Sequence, residues 1–231
     1  MRKTIPRILL LLITLLMPAT MHAQEPLFPK ETRLYYGFQI KEGFNWLLCE
    51  TENDDEKFIV GRRYHPFFSV YFDLGQWYEH NDEFSGATFE IQYAWRGGKV
   101  SSYNVELMLD YLDLRLGYSW RSNGQGFFRA GMELSLLQNA AYGMAEYPQS
   151  DVIDFVAKKA LGVWFEGGGR IGKHFTMNFY FDWLCYGFWD NGDDLLGDYF
   201  WGATDDQNIM LGMAIGWLFS PMKISSNKRY K

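Results

Sequence analysis

The chain has 231 residues, enough for one substantial domain, and carries 22 basic against 28 acidic side chains for a formal net charge of −6. That balance excludes a nucleic-acid binder, because phosphate recognition needs a basic patch. Aromatic residues reach 19%, an abundance that suits the girdles of a membrane barrel.

Residues 1–23 read as a secretory signal peptide. Arg2, Lys3 and Arg7 give the basic start, Ile8–Met17 is an apolar stretch broken only by Thr14, and Ala23 precedes Gln24. The stretch falls well short of the ~20 residues of a spanning helix. Removal of its three basic residues takes the net charge to −9. No later segment is apolar for long enough to span as a helix, so a membrane-resident mature chain must be a closed sheet. Residues 24–33 are expected to form a short periplasmic segment ahead of it.

Eight strands follow, each marked by a period of two that places alternate residues in different surroundings. In Leu34–Trp46, Tyr36, Phe38, Ile40, Phe44 and Trp46 alternate with Gly37, Gln39, Lys41, Gly43 and Asn45, while Glu42 breaks the outward set. Phe67–Leu74 sets Phe68, Val70, Phe72 and Leu74 against Ser69, Tyr71 and Asp73. Thr88–Arg96 puts Phe89, Ile91, Tyr93 and Trp95 on one face. Val105–Trp120 changes phase midway, with Leu109 and Tyr111 in one set and Leu112, Leu114 and Leu116 in the other. One extra residue near Tyr111–Leu112, as a β-bulge supplies, would account for it. Phe127–Leu136 opposes Phe128, Met132 and Leu134 to Arg129, Gly131 and Glu133. Val156–Gly167 is the faintest, with Leu161, Val163 and Phe165 outward. Phe175–Trp183 and Asn208–Phe219 complete the set.

The connections alternate in length. Ser122–Gly126 holds an Asn-Gly pair, a tight-hairpin signal, and Gly167–His174 is short and glycine-rich. Gln138–Phe155 and Gly187–Gln207 are long, as is Gly75–Gly86, which spoils an otherwise regular alternation. Short turns at one end and long loops at the other are the layout of outer-membrane barrels.

Over roughly Leu34 to Phe219 the chain resembles the small PorT-type outer-membrane β-barrel family, of OmpA/OmpX size. The resemblance rests on Phe89–Gly97, on Tyr111–Tyr118 with its short turn, on Phe127–Leu137 with its central Ala-Gly, and on the terminal Leu-Gly-Met-Ala-Ile-Gly-Trp-Leu-Phe. Arg115 stands where that family usually has proline, and Pro221–Lys231 continues past the terminal aromatic. The resemblance implies support of a secretion or assembly complex in the envelope.

Inward positions carry Glu90, Arg96, Asp113, Arg115, Arg129, Glu133, Glu166 and Asp182. With both signs interspersed, these read as a mutually satisfied polar core rather than a selectivity ring, which favours one sign. Asp190, Asp193, Asp194, Asp198, Asp205 and Asp206 crowd the last loop, and Glu50, Glu52, Asp54, Asp55 and Glu56 the first. Their spacing is not that of a calcium loop. They read as a solvated acidic crown, open to weak divalent-cation contact. His65 and Ser69 share a strand face but no acidic partner accompanies them, and a G-x-S-x-G element is absent from the sequence. Cys49 and Cys185 fall on opposite phases and are not expected to bridge. Inward Gly37, Gly43, Gly131, Gly162, Gly212 and Gly216 suit close packing better than a ligand cavity.

The reading is an all-β, eight-stranded antiparallel up-and-down transmembrane barrel at residues 34–219, preceded by the signal peptide and followed by a polar tail at 220–231. It belongs in the cell outer membrane, with outer-membrane lipid and lipopolysaccharide around it and envelope or secretion-complex proteins as candidate partners. No catalytic residue, metal site or cofactor is expected. Two alternatives stay open: a membrane-embedded lipid-modifying barrel enzyme, and a soluble lipocalin-like barrel that binds an apolar ligand.

Overall fold

A computed structural model describes residues 31–49, 58–60, 66–78, 82–100, 105–122, 125–144, 147–151, 159–185 and 207–226. They form eleven strands: β1 (Glu31–Cys49), β2 (Phe58–Val60), β3 (Phe67–Tyr78), β4 (Glu83–Val100), β5 (Val105–Ser122), β6 (Gly126–Met144), β7 (Tyr147–Asp151), β8 (Lys159–Ile171), β9 (Phe175–Cys185), β10 (Gln207–Leu218) and β11 (Met222–Ser226). Eight of them, in the order β10-β9-β8-β6-β5-β4-β3-β1, make a wall that closes where β10 pairs again with β1. Every pairing is antiparallel, and the closing seam runs from Gly37↔Leu218 to Leu48↔Gln207. Strands β2 and β7 are short flaps on β1 and β6.

The alternation seen in the sequence sorts into outside and inside as a membrane requires. In β3 the burial of successive residues alternates without a break through Leu74. Phe179 is 63% exposed, Ile215 60% and Leu116 64%, whereas Glu90, Arg96, Asp113, Arg115 and Arg129 are fully buried. A soluble barrel has the reverse polarity, so the lipocalin-like alternative is overturned by where the charges sit. Between outward Tyr36 and Trp46 on β1, ten rises of about 3.3 Å tilted by about 40° give an apolar belt about 25 Å tall, the height of a membrane barrel's outer band.

Aromatic pairs mark both rims of that belt. At one end Tyr36 stacks on Phe219 and His174 on Trp217; at the other Phe44 stacks on Trp46 and Tyr93 meets Trp95 edge-on. Such amphipathic rings settle at the headgroup level, where one side is apolar and the other wet.

Four sequence expectations need correction. Strand β5 does not change phase: Leu109, Tyr111, Asp113, Arg115, Ser119 and Arg121 are all buried, so the large Leu109 and Tyr111 point inward. The extra residue lies on β6, where Asp110 pairs with Asn139 and Tyr111 with Leu137, leaving Gln138 unmatched. Gly75–Gly86 is not a long loop, because β3 and β4 stay paired down to Tyr78↔Glu83 and Gly75 faces Gly86 across the ladder. Asp82, with φ of 54°, takes the left-handed conformation that ends this tight connection, one that Asp tolerates better than most residues. The faint strand is shifted toward its C-terminus, to Lys159–Ile171. Finally, the barrel does not stop at residues 34 and 219. β1 starts at Glu31, inside the supposed periplasmic segment, and residues 222–226 of the supposed polar tail form β11, paired with Glu31–Leu34 of β1. The signal peptide, residues 24–30 and the last residues 227–231 lie outside the described residues.

On the lipid face a charge at mid-belt has no water, and from Phe179 the outward carboxylate in its row, Glu42, is two strands away beyond Met213. Phe179→Arg is expected to lower the unfolding free energy in lipid vesicles by roughly 2–4 kcal/mol, while Phe179→Leu changes it by less than about 1.5 kcal/mol. Urea titration followed by Trp fluorescence measures both.

Candidate functional site

The wall leaves an interior only wide enough for side chains, and each strand contributes an inward ionic or amide group to it. Toward the loop end, the Arg96 guanidinium on β4 donates through Nη2 to Asp113 on β5 and to Glu133 on β6, each at 2.6 Å. Arg115 on β5 donates Nε to Glu133 and Nη2 to Asp182 on β9, each at 2.5 Å, and its Nη1 lies 3.6 Å from Glu90 on β4. Lys41 on β1 donates to Glu90 at 2.5 Å. Ser135 gives its hydroxyl to Asp113 at 2.6 Å. One guanidinium, that of Arg115, therefore ties three strands across the lumen.

A second group fills the opposite half. Asp73 on β3 accepts from Arg121 on β5 and from Arg129 on β6, the latter with an N–O separation of 3.2 Å. Arg129 also reaches Glu166 on β8 at 3.2 Å, and Glu166 accepts from Asn178 on β9. The Arg129 guanidinium lies 3.6 Å over the Tyr71 ring, and Arg115 lies 5.4 Å from the Trp164 ring centroid. These contacts add a cation–π component that grows when water is excluded.

The inward glycines serve this packing. Gly43 and Gly212 face each other across the seam, and a Cβ on Gly212 would come within 2.6 Å of the Tyr180 hydroxyl. Removing two side chains from the wall makes room for one aromatic ring in the lumen. The same holds at Gly37, beneath Tyr71. The glycines thus mark filled space, not a ligand cavity.

All eight charged residues expected inside are buried there, with at most 1% exposure. The grouping of inward charges left out Lys41 and Asp73, although both read as inward in their strands, and Arg121, which lies one residue past the expected end of the fourth strand. Chemically, this arrangement is a set of mutually neutralising pairs. Desolvating each ion is costly, and the Coulomb return and hydrogen bonds at 2.5–2.6 Å offset that cost only while every partner is present.

The other sequence candidates do not come together. Ser69 is buried on the inner face of β3, while His65, His80 and the acidic residues of the first and last loops lie outside the described residues. His174 stacks on Trp217 and places Nδ1 3.0 Å from the Leu218 carbonyl. No cluster of metal-ligating side chains occurs among the described residues. Gln207 pairs with Leu48 on one side and Cys185 on the other, which sets Cys185 two strands away from the Leu48–Cys49 end of β1. Two interstrand spacings are about 9–10 Å, too far for a disulfide.

At the turn end, beyond the belt, Glu31 accepts from Arg33 at 2.8 Å and from Lys223 of β11 at 2.7 Å. Those hydrogen bonds, first from Lys223 and then from Arg33, hold the Glu31 carboxyl below its ordinary value of 4.5.

A closed eight-stranded antiparallel wall with lipid-facing apolar residues, aromatic rims and a salt-bridged interior defines an integral β-barrel of the outer-membrane class. No family model and no curated protein matches the chain. Solved structures of similar outline include the attachment invasion locus protein Ail of Yersinia pestis, 11% identical, with 83% of this chain and 100% of that one covered at a TM-score of 0.42. They also include Neisserial surface protein A, 12% identical over 80% and 97% of the two chains at 0.42. A third is the outer membrane protein AlkL, 11% identical over 89% and 97%, again at 0.42.

Two outcomes follow from the ionic geometry. Arg115→Met strands the Asp182 carboxylate in a dry interior, leaves Glu133 with Arg96 and Ser135, and is expected to cost roughly 3–5 kcal/mol. Neutralising the stranded carboxylate as well, with Asp182→Asn, recovers much of the loss in the same urea titration. For Glu31 the carboxyl is depressed, so its contribution is present above its ordinary value and is lost as pH falls through the lowered one. The protection factors of the β11 amides, corrected for intrinsic exchange, are therefore expected to fall as pH drops below the ordinary carboxylate value, while β10 stays protected and Glu31→Gln removes the dependence.

Proposed function

We propose that this chain is a non-catalytic outer-membrane barrel that acts through its ends, as a rigid platform for partners in the cell envelope. The observation that carries this reading is the packed, ion-paired lumen. Among the described residues, each of the lumenal bases Lys41, Arg96, Arg115, Arg121 and Arg129 is bound to at least one carboxylate. A lumen organised this way holds the wall in one shape and conducts poorly, so activity has to lie at the rims. Glu31 and Ser226, the first and last described residues, share one rim with the short turns, and the reading places that rim in the periplasm. The long connections share the other, which it places at the cell surface.

The acidic crown supports contact with lipopolysaccharide through divalent cations, since carboxylates are the ligands hard cations prefer. The resemblance to PorT-type barrels supports a role in a secretion or assembly complex. The combination argues for a surface or assembly platform over a lipid-modifying enzyme, which needs a nucleophile and a base held together at one rim.

Photo-crosslinking in living cells tests this. A crosslinking residue placed in the 187–206 loop is expected to capture discrete envelope proteins or lipopolysaccharide, and the same residue at Phe179 only phospholipid. Stepwise single-channel conductance by the purified barrel in planar bilayers, or an absence of any loop-specific adduct, would overturn the proposal.

A further inference from the structure

The turn end of the barrel contains a half-open cavity of about 410 Å³. Three guanidinium groups line it, Arg33, Arg121 and Arg170, with Tyr35, Trp77 and Gln125 between them. Asp82 is the one carboxylate in its lining among the described residues. It sits on an exposed turn at the lip, so positive charge dominates the depth of the cavity.

The three arginines differ in how well they are neutralised. Arg33 donates Nε to Glu31 and lies 4.1 Å over the Trp77 ring. Arg121 is 5% exposed, faces the Tyr35 ring at 4.8 Å, and shares Asp73 with Arg129. Its buried Nε has no hydrogen-bond partner. Arg170 has a buried Nε that is equally unsatisfied, and no carboxylate of the described residues pairs with it. A buried donor on a charged group is costly to leave unmet. Here two such groups line one cavity that opens at the mouth.

We propose that this mouth binds a phosphate-bearing anion, with Arg170 and Arg121 as its principal donors. The guanidinium fork matches the oxygens of a phosphate in a way a lysine ammonium does not. With Glu31 paired to Arg33 and Asp73 to Arg121, Arg170 carries the charge left unmatched, which suits a phosphate oxygen of a monoester or of a diester. Tyr35 and Trp77 offer flat apolar surface to whatever organic group the phosphate carries. The same chemistry is available from a soluble phosphate ester and from a phospholipid headgroup at the rim, and the site goes beyond the platform role without depending on it.

Calorimetric titration of the full folded barrel in maltoside micelles, with chloride held constant, tests the proposal. Inorganic phosphate and glycerol phosphate are the soluble probes; micelles doped with phosphatidylglycerol supply the headgroup. Among the described residues no carboxylate pairs with Arg170, so Arg170→Gln is expected to keep the heat-dependent gel mobility of the folded barrel. That variant is expected to weaken phosphate binding by roughly tenfold or more, with partial recovery in Arg170→Lys and no change in the loop-end control Lys159→Gln. Binding of the soluble probes assigns a solute, and binding of doped micelles alone assigns a headgroup; each supports the site. Absence of binding to all probes, or equal binding by wild type and Arg170→Gln, would overturn it.

Discussion

Closure of β1 onto β10 is the constraint from which the rest of the molecule follows. A strand in hydrocarbon has no water for its backbone, so an open edge there forfeits the hydrogen bonds of a whole ladder. The seam from Gly37↔Leu218 to Leu48↔Gln207 removes both edges at once. Once the wall is closed, the inward side chains between its two mouths are sealed from both water and lipid. Charges placed inside must then neutralise each other, and bulky rings inside must be matched by missing side chains in the wall. The ionic groups around Arg115 and Asp73, and the Gly43–Gly212 gap under Tyr180, are consequences of that enclosure.

The two faces of the wall thus obey opposite rules. Outside, residues such as Phe179 and Ile215 need only be apolar, since lipid has no shape to match. Inside, identity and length both matter: Arg115 reaches Glu133 and Asp182 on separate strands, and a lysine lacks the fork to serve both. Glu42, the acidic residue that interrupts the outward face of β1, is exposed opposite Met213 across the seam. Nothing in the structure explains its presence there.

Much of this was legible in the chain because a period of two is a strong signal when solvents on the two faces differ. Phe89 against Glu90, or Phe179 against Tyr180, told which side was which. The failures have local causes. Leu109 and Tyr111 are large and apolar and so read as outward, yet near the loop end the interior accepts such residues alongside Ala140 and Ala160. The bulge was therefore put on β5 when Gln138 of β6 supplies it, and a sequence pattern cannot say which of two paired strands carries the extra residue. Gly75 and Gly86 looked like loop punctuation, whereas they face each other in a ladder. The lumenal charges could be counted but not paired, since pairing depends on stagger between strands. β11 left no trace at all: its anchor is Lys223 on Glu31, 192 positions away in the chain.

That last contact has a kinetic meaning. Strands β3 through β9 can zip up as successive hairpins, each adding to its neighbour along the chain. The seam cannot, because it joins β1 to β10, the first and the eighth strands of the wall. Bringing segments so far apart in sequence together carries the largest loop-closure entropy in the molecule, and such non-local pairings are the slow steps of folding. Until β10 arrives, β1 and β10 both present bare edges. β11 extends the register past the belt, so the chain's end can grip the strand near its beginning outside the hydrocarbon. The short C-terminal strand is placed to act as the first stitch of the final closure, converting a search across the bilayer into a local zippering from the rim.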